Sequence, residues 1–464
     1  MKNDDIDAIR NNPMSIAEDV SGYRKMNLPF LIVFLILFTF GQIMMFSSSL
    51  SISFAQNGDD ATAMMRKHIV ITGLAFIAAI LIARLVKLDW LRSDWFRHAL
   101  YLLVTVLLVL VTFKGNTVNG ARRWLDLKIF TIQPSEAAKV GAILWLALEL
   151  EYRKKQMARK KDQWRDPVQR FWKQGWHLLA LPACKMLVWF SLIIIQPHLS
   201  AAIIFTAIVI LMFLLASLKK SVWIAGFIEL VAVILVVAVL VLIIMPSITG
   251  LSNSEFISKR FAHVFRRIDT YQNPNEASDD SIRQIKQAQI ALGSGGLTGV
   301  GIGRSVQKMN WLPEAHNDYI LAIIGEELGF VGTSLVLLLF IALLIFGFRI
   351  ALGAKSRTGF MIAGGYTFLL VMQALINFCV AVNLLPASGI SLPFFSSGGT
   401  ANAFFSLAAG MVLLISKWDQ KDNALIRELG IEKTGRVTIV NEAVEQSTGE
   451  KKPEQVADDS TGTG

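Results

Sequence analysis

Two short stretches place ionisable side chains at the mouths of apolar runs, where a substrate held in a membrane could be worked on. The first is Gly120–Lys139, GARRWLDLKIFTIQPSEAAK. Within it, Gln133-Pro134-Ser135-Glu136 reads as a helix start, because Pro134 suits the first turn and Glu136 favours the positive end of the helix dipole. Glu136 and Lys139 lie three apart and so leave the helix from one face. As a pair they could merely solvate a helix end, and Arg122 and Arg123 could merely anchor the interface. Taken together, Arg123, Glu136 and Lys139 put cationic donors at headgroup depth, where a lipid diphosphate would sit. The second stretch is Asn310–Gly329, NWLPEAHNDYILAIIGEELG. Asp318 stands just before its apolar run, at a low-dielectric boundary that raises a carboxyl pKa and makes it a better base. The plainer alternative is that Asn317 or Asp318 caps the helix. Glu326 and Glu327 follow two turns deeper, where a carboxylate is costly and is by default functional or paired. Glu326 lies about 80° around the helix from Asp318, so it could support the same cavity without reaching the same atom.

The elements that position these groups follow from composition. The chain has 464 residues, of which 53% are hydrophobic and only 17% charged, and its mean hydropathy is +0.51. That is short of the charge a soluble domain carries. Apolar runs longer than 18 residues predict an all-α, polytopic membrane protein. Ten spans are expected near 28–47, 68–88, 98–113, 137–152, 177–195, 200–217, 222–246, 319–346, 360–385 and 401–416. Residues 1–27 then form a cytoplasmic N-terminal segment, 28–416 the membrane domain, and 417–464 a polar cytoplasmic tail that ends in disorder. An even count puts both termini on one side. With that side cytoplasmic, 29 of the 45 lysines and arginines fall inside and 15 outside, with Lys185 within a span; this bias fixes the orientation. The net charge of +10 is therefore loop bias rather than a nucleic-acid-binding patch. The first span lacks a cleavage site and reads as retained.

The external loops are 114–136 and 247–318. In the second, Asp280 or Ser281 is expected to cap a helix with Ile282, Ile285, Gln289 and Leu292 on one face and Gly293 at its end. Gln196–Ser200 reads as a break between two spans, and Pro386–Asn402 as an irregular external segment. Other chemistries find no support. The histidines are scattered without metal-ligand spacing. The run Gly293–Ser305, GSGGLTGVGIGRS, lacks the ending of a phosphate loop and reads as a tightly turned loop. The two cysteines, Cys184 and Cys379, sit in apolar segments and exclude a disulfide scaffold.

GARRW, QPSEAAK, the turn at Gln196–Ser200, ALGSGGLTGVGIG, LPEAHNDYILAIIGEELG and GISLPFFSSGGT occur in the order of the SEDS proteins (shape, elongation, division and sporulation), which this chain resembles from about 30 to 416. Within that family it is most similar to the division member and next to the elongation member. The resemblance implies a peptidoglycan glycosyltransferase that polymerises lipid II at the outer face of the cytoplasmic membrane, at the division septum. It would leave undecaprenyl diphosphate and work with a class B penicillin-binding protein transpeptidase, other divisome proteins and membrane lipids. It implies Asp318 of HNDYI as the catalytic residue and Arg123, Gln133, Glu136, Lys139 and His316 on the substrate, with Glu326 and Ser397 supporting. The sequence departs from the family pattern at His198, where many members have Asp, and no chemistry is assigned there. Ser397 replaces a common Tyr, and Asn317 and Tyr319 replace the usual Thr and Phe.

A diphosphate leaves readily once its charge is stabilised, so one base and cationic donors suffice. No resident metal is expected, although a divalent cation, Mg or Mn, could accompany the diphosphate. The rival readings are a lipid II transporter, which should show midplane charges and paired broken helices, and a non-catalytic scaffold.

Overall fold

The computed structural model describes residues 26–57, 62–118, 121–126, 131–159, 166–196, 198–249, 279–309, 311–386 and 389–419. The expected N-terminal segment, the middle of the second external loop and the polar tail lie outside these residues.

Each of the ten expected spans coincides with a helix. They are α1 (Leu28–Asn57), α2 (Ala63–Leu85), α4 (Asp94–Lys114), α5 (Pro134–Arg159), α6 (Pro167–Gly175) running through a π-helical turn at Trp176–Ala180 into α7 (Leu181–Ile195), α8 (Leu199–Leu215), α9 (Lys220–Thr249), α11 (Ile320–Gly353), α12 (Arg357–Ala381) and α13 (Gly399–Trp418). A single turn, α3 (Leu88–Leu91), joins α2 to α4, and α10 (Asp279–Ser294) lies between α9 and α11. Eight of the spans are long and apolar enough to cross a bilayer unaided. The exceptions are α8, with 17 residues, and α5, which carries Glu136, Lys139, Glu149, Glu151 and Arg153.

The reason α5 tolerates those charges is its position. Nearly every residue from Pro134 to Leu150 is buried in the protein, so the helix faces neighbours rather than lipid. Its inner charges are paired: Glu149 meets Arg97 at 2.9 Å, Arg153 at 2.6 Å and Lys185 at 3.6 Å. Lys185, the one cation expected within a span, also lies over the rings of Trp145 and Tyr101. By contrast, α1, α2, α4 and α9 expose large apolar side chains on their outer faces, as helices solvated by lipid do.

Local chemistry sets the helix starts. Ser93 accepts from the Phe96 amide, Asp166 from those of Val168 and Gln169, and Ser356 from that of Gly359. Two features were not expected. The loop between α4 and α5 carries a small antiparallel sheet, β1 (Asn116–Val118), β2 (Ala121–Asp126) and β3 (Thr131–Ile132), with β2 in the centre. Helix α10 starts at Asp279 and runs through Gly293 to Ser294, and its packed face overlaps the expected one only in part: Leu292 packs against its neighbours. Gln289 is exposed, and Ala288 and Ala291 are buried against Leu312, Ala315, Ala322 and Ile323. Small residues win that face because they let α10 approach α11 closely.

A candidate active site between α5, α11 and α12

Helix α5 begins at Pro134, as the local sequence predicts. The helix start brings Gln133, Ser135, Glu136 and Lys139 together, all buried. Lys139 donates to Glu136 Oε1 at 2.7 Å and to Gln373 Oε1 of α12 at 3.2 Å. An ammonium has three N–H donors, so one remains. Glu136 Oε2 and Gln373 Nε2 are both buried and make no hydrogen bond with the described residues. Such orphans in a native site call for an occupant. Arg123 is half-buried on β2, the strand that packs against α4 and α5.

His198, to which sequence reasoning gave no chemistry, belongs to this cluster. It precedes α8, is buried, and its Nδ1 lies 3.1 Å from Ser135 Oγ and 3.5 Å from Gln133 Nε2. The expected break between α7 and α8 thus lines protein, which is where irregular backbone is tolerated at membrane depth.

Asp318 is half-buried, two residues before α11. Tyr319 occupies the N-cap position without a side-chain capping bond. Asn317 is turned elsewhere: it donates to Glu314 at 2.6 Å and accepts from the Ser397 hydroxyl. The Asp318 carbonyl accepts from Asn377 Nδ2 at 2.8 Å, and the same amide donates to the Ile390 carbonyl. Asn377 and Gln373 are one turn apart on α12, about 6 Å along its axis. This helix therefore holds the Asp318 backbone with one side chain and Lys139 with the other. Neither residue was singled out from sequence, because only tertiary contact distinguishes them within an apolar helix.

The expected irregular segment Pro386–Asn402 is irregular from 389 to 398 and largely buried there rather than an external loop, while Gly399–Asn402 already form the first turn of α13. Leu392, Phe394, Phe395 and Ser396 are inaccessible, and a side chain at Gly41 of α1 would strike the Phe394 carbonyl. Its backbone is satisfied locally: Leu392 N donates to Ser396 Oγ, Phe394 N to Asn402 Oδ1, and Ser396 Oγ to the Asn317 carbonyl. Ser397 N donates to the His316 carbonyl at 2.8 Å, so Ser397 braces the Asp318 loop from behind. His316 has a buried Nδ1 without a hydrogen bond to the described residues. Burial holds its imidazole below the ordinary histidine range, against the opposing pull of Glu314.

Glu326 and Glu327 serve a different part of the molecule. Glu326 accepts from the Ser305 hydroxyl and from the amides of Val306 and Gln307. Glu327 accepts from Ser47 of α1 at 2.7 Å and from Lys308 at 2.7 Å. Both hold the glycine run, and Glu326 does not support the Asp318 carboxyl directly. Helix α11 is broken at Gly329, whose φ of 66° suits glycine. The freed carbonyls of Glu326 and Glu327 accept from the amides of Val300 and Gly301, and the freed amides of Phe330 and Val331 donate to the carbonyls of Gly296 and Leu297. The run is thus a tightly turned loop that completes a broken helix. Among the described residues, no three His, Cys, Asp or Glu side chains converge as a metal site.

The sequence matches the family model described as cell cycle protein, FTSW_RODA_SPOVE, over residues 27–421. It is 32% identical to the stage V sporulation protein E of Bacillus subtilis, over 84% of this chain and 96% of that protein. It is 31% identical to a probable peptidoglycan glycosyltransferase FtsW of Geobacter sulfurreducens, over 87% and 98%. The fold is similar to the crystal structure of the rod shape determining protein RodA of Thermus thermophilus, with a TM-score of 0.56 and 23% identity over 86% of this chain and 99% of that one. It is also similar to a chain in a peptidoglycan synthase complex, with a TM-score of 0.53 and 24% identity over 82% and 98%. The family model, matched over residues 27–421, and relatives above 30% identity along nearly their whole length show that the chain belongs to the FtsW, RodA and SpoVE family of cell cycle proteins.

Proposed function

We propose that this protein is a peptidoglycan glycosyltransferase that polymerises lipid II and releases undecaprenyl diphosphate, with Asp318 as the general base. The observation that carries the reading is the bridge made by α12, which holds the Asp318 loop through Asn377 and the buried Lys139–Glu136 pair through Gln373 one turn away. Base and cation are thereby fixed on one rigid element, as a reaction with a charged leaving group requires.

In this mechanism Asp318 takes the proton from the 4-hydroxyl of the acceptor GlcNAc as that oxygen attacks the anomeric carbon of the second substrate. The bond to the diphosphate breaks, and the product carries inverted anomeric configuration. Arg123 meets the diphosphate at the edge of the site, and Lys139 offers its third N–H from within. Glu136 orients Lys139, while Gln133 and His316 line the substrate's path. A divalent cation, Mg or Mn, arriving with the diphosphate would find in Glu136 Oε2 an anionic oxygen with no competing hydrogen bond from the described residues; no step depends on it.

The lysine and arginine bias supports cytoplasmic termini and a site on the outer face of the cytoplasmic membrane. The similarity to FtsW proteins supports action at the division septum, with a class B penicillin-binding protein and other divisome proteins as partners; a RodA-like role in elongation is the second reading. Purified protein given lipid II should form glycan strands on a gel, and Asp318→Asn should reduce the rate by ~10²–10⁴-fold. Undiminished synthesis by that variant removes the assignment. Lipid II flipping in liposomes without polymerisation would favour the transporter.

A further inference from the structure

The opposite ends of α5 and α12 form a second polar site. About 22 Å along α5 from Lys139, residues of both helices enclose a cavity of about 130 Å³. Its walls include the apolar Ala147, Leu150 and Met361, and its rim carries Lys154, Lys155 and Arg357. One of these cations is neutralised: Lys155 pairs with Glu151 at 2.7 Å, and Glu151 also takes Arg92 at 3.2 Å and the Thr358 hydroxyl. The other two are not. Lys154 donates to the Ala216 carbonyl at 2.5 Å and Arg357 to the Ser217 hydroxyl, both neutral acceptors. Neither forms an ion pair among the described residues, and both line the same cavity. Each has further N–H donors, since an ammonium carries three and a guanidinium five. Two cations with spare donors, lining one cavity together with apolar side chains, make a site for an anion that bears a hydrocarbon tail.

We propose that this cavity binds the phosphate of an anionic phospholipid, held between Lys154 and Arg357. Basic pockets between membrane helices commonly take such headgroups. The tail has apolar surface available: α8, which ends just before Ala216 and Ser217, exposes Ile203, Ile210 and Leu214. A free phosphate would gain nothing from these. The lipid belongs to the cytoplasmic leaflet, a placement that rests on the proposed orientation, whereas the headgroup chemistry does not.

The test uses the full chain. Native mass spectrometry after exchange from nanodiscs containing phosphatidylglycerol or cardiolipin should show bound anionic lipid. Lys154→Gln with Arg357→Gln should reduce its retention about tenfold, while Lys154→Arg and Lys286→Gln, on α10, should match the unaltered protein. Equal retention in the double variant would overturn the site. A second measurement needs no variant. Phosphatidylglycerol, and neither phosphatidylcholine nor inorganic phosphate, should raise the thermal unfolding midpoint of the unaltered protein. An equal rise with inorganic phosphate would assign the site to a free anion, and an equal rise with phosphatidylcholine would remove the headgroup role; either result overturns the proposal.

Discussion

Two buried lysine–carboxylate pairs in this protein look alike at first. Lys139–Glu136 and Lys308–Glu327 are both 2.7 Å long, and all four side chains are nearly inaccessible. Their surroundings differ. Both oxygens of Glu327 are bonded, by Ser47 and Lys308, and both oxygens of neighbouring Glu326 by the Ser305–Gln307 turn. Around Lys139, Glu136 Oε2 and Gln373 Nε2 make no hydrogen bond with the described residues, and nearby Asn377 Oδ1 and His316 Nδ1 share that state. Apart from Gln307 Oε1, the surroundings of Lys308–Glu327 close a structure, while those of Lys139–Glu136 leave acceptors and donors for a molecule yet to arrive. Residue type and distance do not separate a structural ion pair from a functional one; the satisfaction of the atoms around it does.

The contrast can be broken by experiment. Lys308→Met leaves Glu327 as an uncompensated buried charge, which costs about 3–5 kcal/mol. The thermal midpoint should fall steeply while polymerisation per folded molecule holds. Loss of activity in protein that remains folded would erase the distinction. Lys139→Met should slow polymerisation by roughly 10²-fold, the cost of removing one donor from a developing charge. A drop confined to stability would break the contrast from the other side. Gln373→Leu sharpens it: with one amide gone, the apparent KM for lipid II should rise about five- to tenfold, with kcat less affected. The smallest effect concerns His316. Burial makes it bind a proton less readily when folded than when unfolded, so stability should fall as pH drops below about 6.5. In a series of thermal midpoints from about pH 7.5 to 5.5, His316→Gln should flatten that decline, and an unchanged slope would assign it to other groups.

The bundle was largely legible because lipid-facing helices must be apolar along their whole length, and α1, α2, α4 and α9 announce themselves in that way. Helix α5 was harder to read for the complementary reason: enclosed by protein, it can hold Glu149 and Arg153, which weaken a hydropathy signal. Glu136 and Lys139 could be found because proline and a three-residue spacing mark a helix start. Gln373 and Asn377 could not, since nothing local distinguishes a glutamine that meets Lys139 from one that faces another helix. The same limit hid His198, whose meaning comes from Gln133 and Ser135 more than sixty residues away. It also hid the burial of Leu392–Ser396, whose flanking glycines and hydroxyls (Gly389, Ser391, Ser397, Gly398) read as surface until Gly41 and Asn402 are seen to receive it.

The interruption at Gly329 gives the protein an internal gauge. Amides deep in a continuous transmembrane helix release their hydrogens to heavy water only when the helix itself comes apart. Those of Phe330 and Val331 are tied instead to carbonyls of the Gly295–Gly301 turn, so they can exchange whenever that turn lifts. Their deuterium uptake would clock the breathing of an extramembrane strap from a position at the shoulder of the same helix that begins beside Asp318.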